Sequence, residues 1–163
     1  AGITVDTKNF SYQTGVRTFE AASILKRVGA DTTTVRQLFR DNFNTFISKA
    51  EVIQSTRLIL DRIAIGKLDR EMEDSVLIAA QAADELLDIN GDEASFVLTR
   101  VNDRIHISGR SLGDISVQLI LERLGGGGHL TSAGTQISGM SMEEAEEMLI
   151  DKIEEFLEEG EKK

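Results

Sequence analysis

The sequence predicts an α/β fold, and three observations carry that prediction. "ASFVLTRV" and "RIHISGRS" read as neighbouring strands joined by a turn at "ND". Helix-spaced apolar stretches lie on either side of them, so strands and helices alternate along the chain. The chain opens on a further short apolar run, "GITV", that reads as a buried strand ending at Asp6.

In order, the polar loop "DTKNFSYQTG" leads to a helix over "VRTFEAASILKRVG", with Ala21, Leu25 and Val28 at helical spacing and Gly29 as its stop. Asp31 is placed to cap a short helix through Val35, Leu38 and Phe39. A longer helix carries Phe43, Phe46, Ile47, Ala50 and Ile53 on one face, a stripe expected to serve core packing. Around "LILDRIAIGKLD" the pattern turns to β, with Gly66 read as a turn. Residues 71–89 form an amphipathic helix with an alanine-rich side, and "NGDE" is a turn. In "RIHISGRS", Arg104, His106, Ser108 and Arg110 share one face and Ile105 and Ile107 the other. Asp114 is expected to cap a helix through Val117, Ile120, Leu121 and Leu124, and the glycine run and "GTQISGM" come next. The last helix opens on a capping box, Ser141 with Glu144, and turns Met142, Ala145, Leu149, Ile153 and Phe156 inward. A boundary is expected between residues 1–56 and 57–163, because one strand and several helices cannot bury a sheet by themselves.

A chain of 163 residues suits one ordinary domain or two small ones. It has no cysteine, which excludes disulfides and thiolate metal sites, and no run approaches a membrane span. Of the net charge of −10, residues 141–163 contribute −7 from ten acidic and three basic side chains, leaving −3 for the rest. Without a basic stripe the chain does not read as a duplex binder, but a pocket for a few phosphates stays open.

Four consecutive glycines, Gly125, Gly126, Gly127 and Gly128, precede His129. Successive N–H groups of such a loop can converge on an anion, and His129 can donate to a phosphate oxygen. A linker or a crowded packing turn is the alternative, although linkers rarely separate a helix from a strand within one small domain. Arg110, at the end of its strand with Ser108 beside it, suits bidentate phosphate contact or a plain surface ion pair. His106 reads as a partly buried structural histidine. Asp6 suits either a metal ligand or an Asx-turn. With two histidines in the chain, neither near Asp6 in sequence, a full divalent site is hard to assemble.

Together, "GITVDTKNF" (Asp6, Thr7, Phe10), "ISGRS" (Arg110) and "GGGGHLTSAG" resemble the DHH phosphoesterase superfamily with its DHH-associated C-terminal domain. The stretch "FSYQTGVRTFEAASILKRVGAD" is similar to the cyclic-di-AMP phosphodiesterases of Gram-positive bacteria. The resemblance implies that residues 1–56 are the last strand and helices of a catalytic domain and that 57–163 are the substrate-binding domain, an α/β unit with a mixed sheet. It implies a catalytic and manganese-binding role for Asp6, in a site holding two manganese ions (Mn2+) in the intact enzyme. It also implies substrate binding by Ser108, Arg110, Gly125 to Gly128 and His129. The substrate would be a cyclic dinucleotide or short oligonucleotide.

The superfamily's Asp-x-Asp and Asp-His-His motifs are absent, and the family places them before the point where this sequence starts. A C-terminal fragment is therefore expected, inactive alone and completed by the missing N-terminal part of its own chain. The resemblance further implies a cytoplasmic domain of a membrane-anchored parent; a homodimer stays open. The alternatives are an oligoribonuclease or 3′-phosphoadenosine-5′-phosphate phosphatase of the same superfamily, or a non-catalytic nucleic-acid-binding module like that of alanyl-tRNA synthetases.

Overall fold

The computed structural model describes residues 1–11, 14–89 and 91–161, so Tyr12 and Gln13 of the first loop and Asn90 of "NGDE" lie outside the described residues. The chain forms two compact units, residues 1–42 and 43–163.

The first unit holds α1 (Gly2–Asp6), α2 (Val16–Arg27) and α3 (Thr32–Leu38), none of which buries a residue. α1 corrects the expected strand. A strand needs a hydrogen-bonding neighbour, and none of the described strands pairs with "GITV". Its backbone bonds close locally instead, with the Val5 and Thr7 N–H groups donating to Ala1 and Ile3 oxygens. Asp31 caps α3 as read, accepting from the Thr33 and Thr34 N–H groups at 3.1 and 3.0 Å.

The second unit runs α4 (Phe43–Ser55), β1 (Arg57–Ile59), β2 (Ile63–Leu68), α5 (Ser75–Leu86), β3 (Ala94–Val101), β4 (Arg104–Ser111), α6 (Val117–Glu122), β5 (Gly127–His129), β6 (Ser132–Ser138) and α7 (Met142–Glu161). Its strands make one six-stranded sheet in the order β1-β2-β3-β4-β6-β5. β2 and β3 are parallel, joined through α5, and the other pairs are antiparallel, so the sheet is mixed as expected. The expected boundary at 56/57 differs from the division at 42/43, because α4 packs on β2 and α5.

Alternation in the strands sorts their side chains to two layers. Ile65, Phe96, Leu98, Ile105 and Ile107 meet Val117, Ile120 and Leu121 of α6 and Met142, Ala145, Leu149 and Ile153 of α7. On the opposite face, Ala64, Leu68 and Val97 meet Val52 of α4 and Ile78, Ala79, Ala82, Ala83 and Leu86 of α5. The Ser141 capping box forms, with Glu144 Oε2 accepting from the Ser141 N–H at 2.7 Å and Ser141 Oγ from the Glu144 N–H at 3.2 Å.

Four local expectations are corrected. Gly66 lies inside β2; the turn falls at Leu60 and Asp61, both with positive φ. α5 starts at Ser75, because Asp74 takes a left-handed conformation and Ser75 Oγ closes a turn on the Met72 carbonyl. Ser116, not Asp114, caps α6 by accepting from the Leu119 N–H. The stripe on α4 faces outward, with Phe43 76% and Phe46 61% exposed. α4 turns Ser48, Lys49 and Val52 inward instead, where Lys49 pairs with Glu85 and Arg70 Nη2 donates to Ser48 Oγ.

Gly66 explains that choice of face. A Cβ at this position would stand 2.7 Å from Val52 Cγ1 and 2.9 Å from Thr56 Oγ1, so α4 rests directly on the strand backbone. Gly66→Ala is therefore expected to destabilise the unit by roughly 1–3 kcal/mol, the cost of overpacking a close contact. Denaturant unfolding measures it, and adding Val52→Ala should restore part of the loss.

Candidate functional site

β4 carries the site because its alternation is split between core and polar layers. Ile105 and Ile107 are held in the core, which turns His106, Ser108 and Arg110 to the face that α5 shares. Register extends this face across the sheet. Arg110 is level with Ser132 of β6, and Ser132 with His129 of β5. One step along, Ser108, Gly134 and Gly127 form the next row on that face, followed by His106 beside Gln136. Arg110 and His129 are thus two strand spacings apart, roughly 10 Å between backbones.

Arg110 is aimed by two contacts. Its Nε donates to Asp84 Oδ2 of α5 at 3.3 Å and its Nη1 to the Gly109 carbonyl at 2.9 Å. The side chain is 17% exposed. Asp84 and the Gly109 carbonyl fix a mostly buried guanidinium, and its planar fork of five donors has further N–H groups with which to meet an anion. His106 Nε2 lies 3.2 Å from Ser108 Oγ. Burial first, and the Arg110 guanidinium second, hold His106 below the usual imidazole range, so it is neutral at neutral pH. The Nδ1 of His106 and the Oε1 of Gln81, one turn before Asp84 on α5, are buried without a hydrogen-bond partner among the described residues. His129 is exposed at the end of β5, at the sheet edge.

The glycine run is not a free loop. Gly125 has φ +77°, and its N–H donates to the Glu122 carbonyl, while the Gly126 N–H donates to that of Leu121. This is a Schellman-type stop for α6. A Cβ on Gly126 would fall 2.4 Å from the Gly134 oxygen, and one on Gly128 would fall 2.5 Å from Ala133 Cα. Gly125 and Gly126 therefore donate their N–H groups within the chain, and strand alternation turns Gly128 from the Arg110 face. Ser108, Arg110, Gly127 and His129 do come together on one face.

Asp6 lies in the first unit, exposed, as the last residue of α1. Thr7 Oγ1 donates to the Ile3 carbonyl at 2.6 Å and accepts from the Phe10 N–H at 2.9 Å, and Phe10 stacks on Phe19 at 5.4 Å. The Asp-Thr-x-x-Phe segment thus organises its own loop. Among the described residues no three His, Cys, Asp or Glu side chains are grouped to hold a metal ion, so Asp6 alone does not fit a manganese pair.

Sequence reasoning missed Asp84, Ser132 and Gly134. The connection between "GGH" and "SAG" is Leu130-Thr131, which carries no hairpin signal, so the pairing that places the last two was not marked. Nothing in the sequence marks Asp84 as the partner of Arg110.

Among known proteins, the DHHA1 domain family matches residues 62–159. The chain is 50% identical over 164 residues to the cyclic-di-AMP phosphodiesterase GdpP of Bacillus subtilis, covering 98% of this chain and 25% of that protein. It is 46% identical over 157 residues to the cyclic-di-AMP phosphodiesterase PdeA of Listeria monocytogenes, covering 96% and 24%. The chain thus spans about a quarter of the length of these relatives. In fold it is similar to an exopolyphosphatase-related protein from Bacteroides fragilis, with a TM-score of 0.84 at 22% identity, covering 94% of this chain and 48% of that one. With more than half its length matched by one family, this chain belongs to the DHHA1 domain family.

Proposed function

We propose that this chain is the substrate-holding part of a phosphodiesterase that hydrolyses cyclic-di-AMP. The observation that carries the reading is the row Arg110, Ser132 and His129 on one open sheet face. Two relatives that match nearly the whole chain are named for that activity, which supports the choice of substrate.

The chain's own residues bind and orient. Arg110, held by Asp84, presents its remaining guanidinium edge to a phosphate. His129, two strands away, donates to a second oxygen or a second phosphate, and Ser132 between them supplies a hydroxyl. Fixing the substrate at two anionic points would restrict its rotation before reaction. The metal chemistry implied by the family requires ligands beyond Asp6, and in this reading they come from the rest of the protein, a membrane-anchored parent. No helix among the described residues is long and apolar enough to cross a membrane.

Calorimetry with cyclic-di-AMP tests the reading. His129→Ala removes a hydrogen bond to a charged group, worth roughly 1.5–3 kcal/mol, so affinity should fall about tenfold or more with the fold unchanged by circular dichroism. Tighter binding of linear pApA or of 3′-phosphoadenosine-5′-phosphate would shift the assignment to the oligoribonuclease or phosphatase reading. No binding of any nucleotide would reject the site.

A second expectation concerns chemistry. The pure chain incubated with manganese and cyclic-di-AMP should yield no pApA or AMP by chromatography. Turnover that Asp6→Ala abolishes would show that the chain assembles a metal site of its own.

A further inference from the structure

Among the described residues Lys49 is the one buried cation, 7% exposed where α4 packs on α5. Withdrawing an ammonium from water is costly, and a buried ion pair is commonly no more stable than apolar side chains of the same volume. Its partner Glu85 keeps 43% of its side chain exposed, so water can solvate that carboxylate without a lysine. A methionine would fill the space of the Lys49 stem with no charge to bury. Stability therefore does not explain a lysine at this position.

The surroundings of the pair do explain it. Glu85 follows Asp84 in α5, and successive side chains leave a helix about 100° apart. Asp84 accordingly reaches Arg110 on β4, and Glu85 reaches Lys49 on α4. From sheet to outer helix the charges run Arg110, Asp84, Glu85, Lys49, alternating in sign, and the two cations balance the two acids. Without Lys49 the group would be net negative directly behind Arg110. Because Lys49 is buried, salt screens its charge far less than that of an exposed lysine. The approach of α4 to the β2 backbone at Gly66, against Val52 one turn after Lys49, brings the ammonium down to α5.

We infer that Lys49 is a positioning residue of the anion site: it holds and offsets Glu85, so that Arg110, already shared with Asp84, keeps its attraction for a phosphate. Lys49 acts through the acids of α5 and needs no contact with the ligand. This assignment rests on the reading of Arg110 as a phosphate ligand.

The test is calorimetry of the full chain with cyclic-di-AMP. Lys49→Met should weaken binding roughly threefold to tenfold, the effect of one uncompensated charge near a partly buried site. Its thermal midpoint should be unchanged or higher. Glu85→Gln removes the acid and should leave affinity equal or higher. The double variant Lys49→Met/Glu85→Gln restores the balance of charge, so its affinity should return to within about twofold of the parent. A packing role for Lys49 would give no such recovery. Unchanged affinity in Lys49→Met would overturn the inference, as would a loss that the double variant retains. A Lys49→Met chain that fails to fold would overturn it too, because stability would then account for the lysine. If the unsubstituted chain binds no nucleotide, the reading of Arg110 fails instead, a result separate from these.

Discussion

The contact on which the rest depends is the close approach of the glycine run to β6. The Gly126 position lies almost against the Gly134 oxygen, and Gly128 against Ala133 and the Ser132 oxygen. Only residues without a Cβ permit that spacing, and it turns the segment after α6 into a paired edge strand. Once β5 lies on β6, register leaves no freedom in where His129 falls. It stands level with Ser132, and through Ser132 with Arg110. The Schellman stop at Gly125 sets where the strand begins. The glycines are thus less a cradle than a hinge of fixed geometry that brings His129 onto a shared face.

The second constraint is the unequal covering of the sheet. α6 and α7 close one face over the Ile105 and Ile107 positions, and those isoleucines fix which way β4 is turned. On the other face the apolar cluster is confined to β2, β3 and the helices above them. Arg110 sits where α5 ends its cover, with Asp84 reaching it from the helix, and Gln136 and His129 beyond are exposed. A one-residue slip of β4 would exchange Ile107 for Ser108 and remove both core and site together. Packing and binding are therefore specified by the same alternation.

That alternation is also why β3 and β4 were legible to the residue in the sequence. β-branched residues on every second position, with a two-residue turn between them, admit one reading. α7 was equally plain, because its capping box and 3.6-residue stripe agree. The misreadings have physical causes. "GITV" is apolar but too short to distinguish strand from helix without knowing whether a partner strand exists. The α4 stripe misled because hydrophobicity says which face ought to be buried, whereas Gly66 decided which face fits. β5 was invisible because glycines carry no alternation. Arg110 and His129 stand out in the sequence by residue type and position; Asp84 does not, since a charged residue on an exposed helix flank looks the same whether or not a strand end points at it.

The acidity of the chain does not count against an anion site, and the fold shows why. Much of the negative charge lies on α7, which packs on the face opposite Arg110. Its buried acid, Glu146, is paired with Arg57 and Lys67, and Glu155 and Glu159 are paired with Arg123. Glu143, Glu144, Glu147, Asp151, Glu154 and Glu158 are exposed on the far side of a helix layer and a sheet, about 10 Å per layer, while exposed charges are screened over roughly 8–10 Å at physiological salt. The potential felt by a phosphate at the Arg110 row is therefore set by its near neighbours, of which Asp84 is an acid. That carboxylate weakens the attraction somewhat, yet it holds the guanidinium in place. A cation oriented by one partial counter-charge is thus held in one geometry, at the cost of part of its attraction for anions.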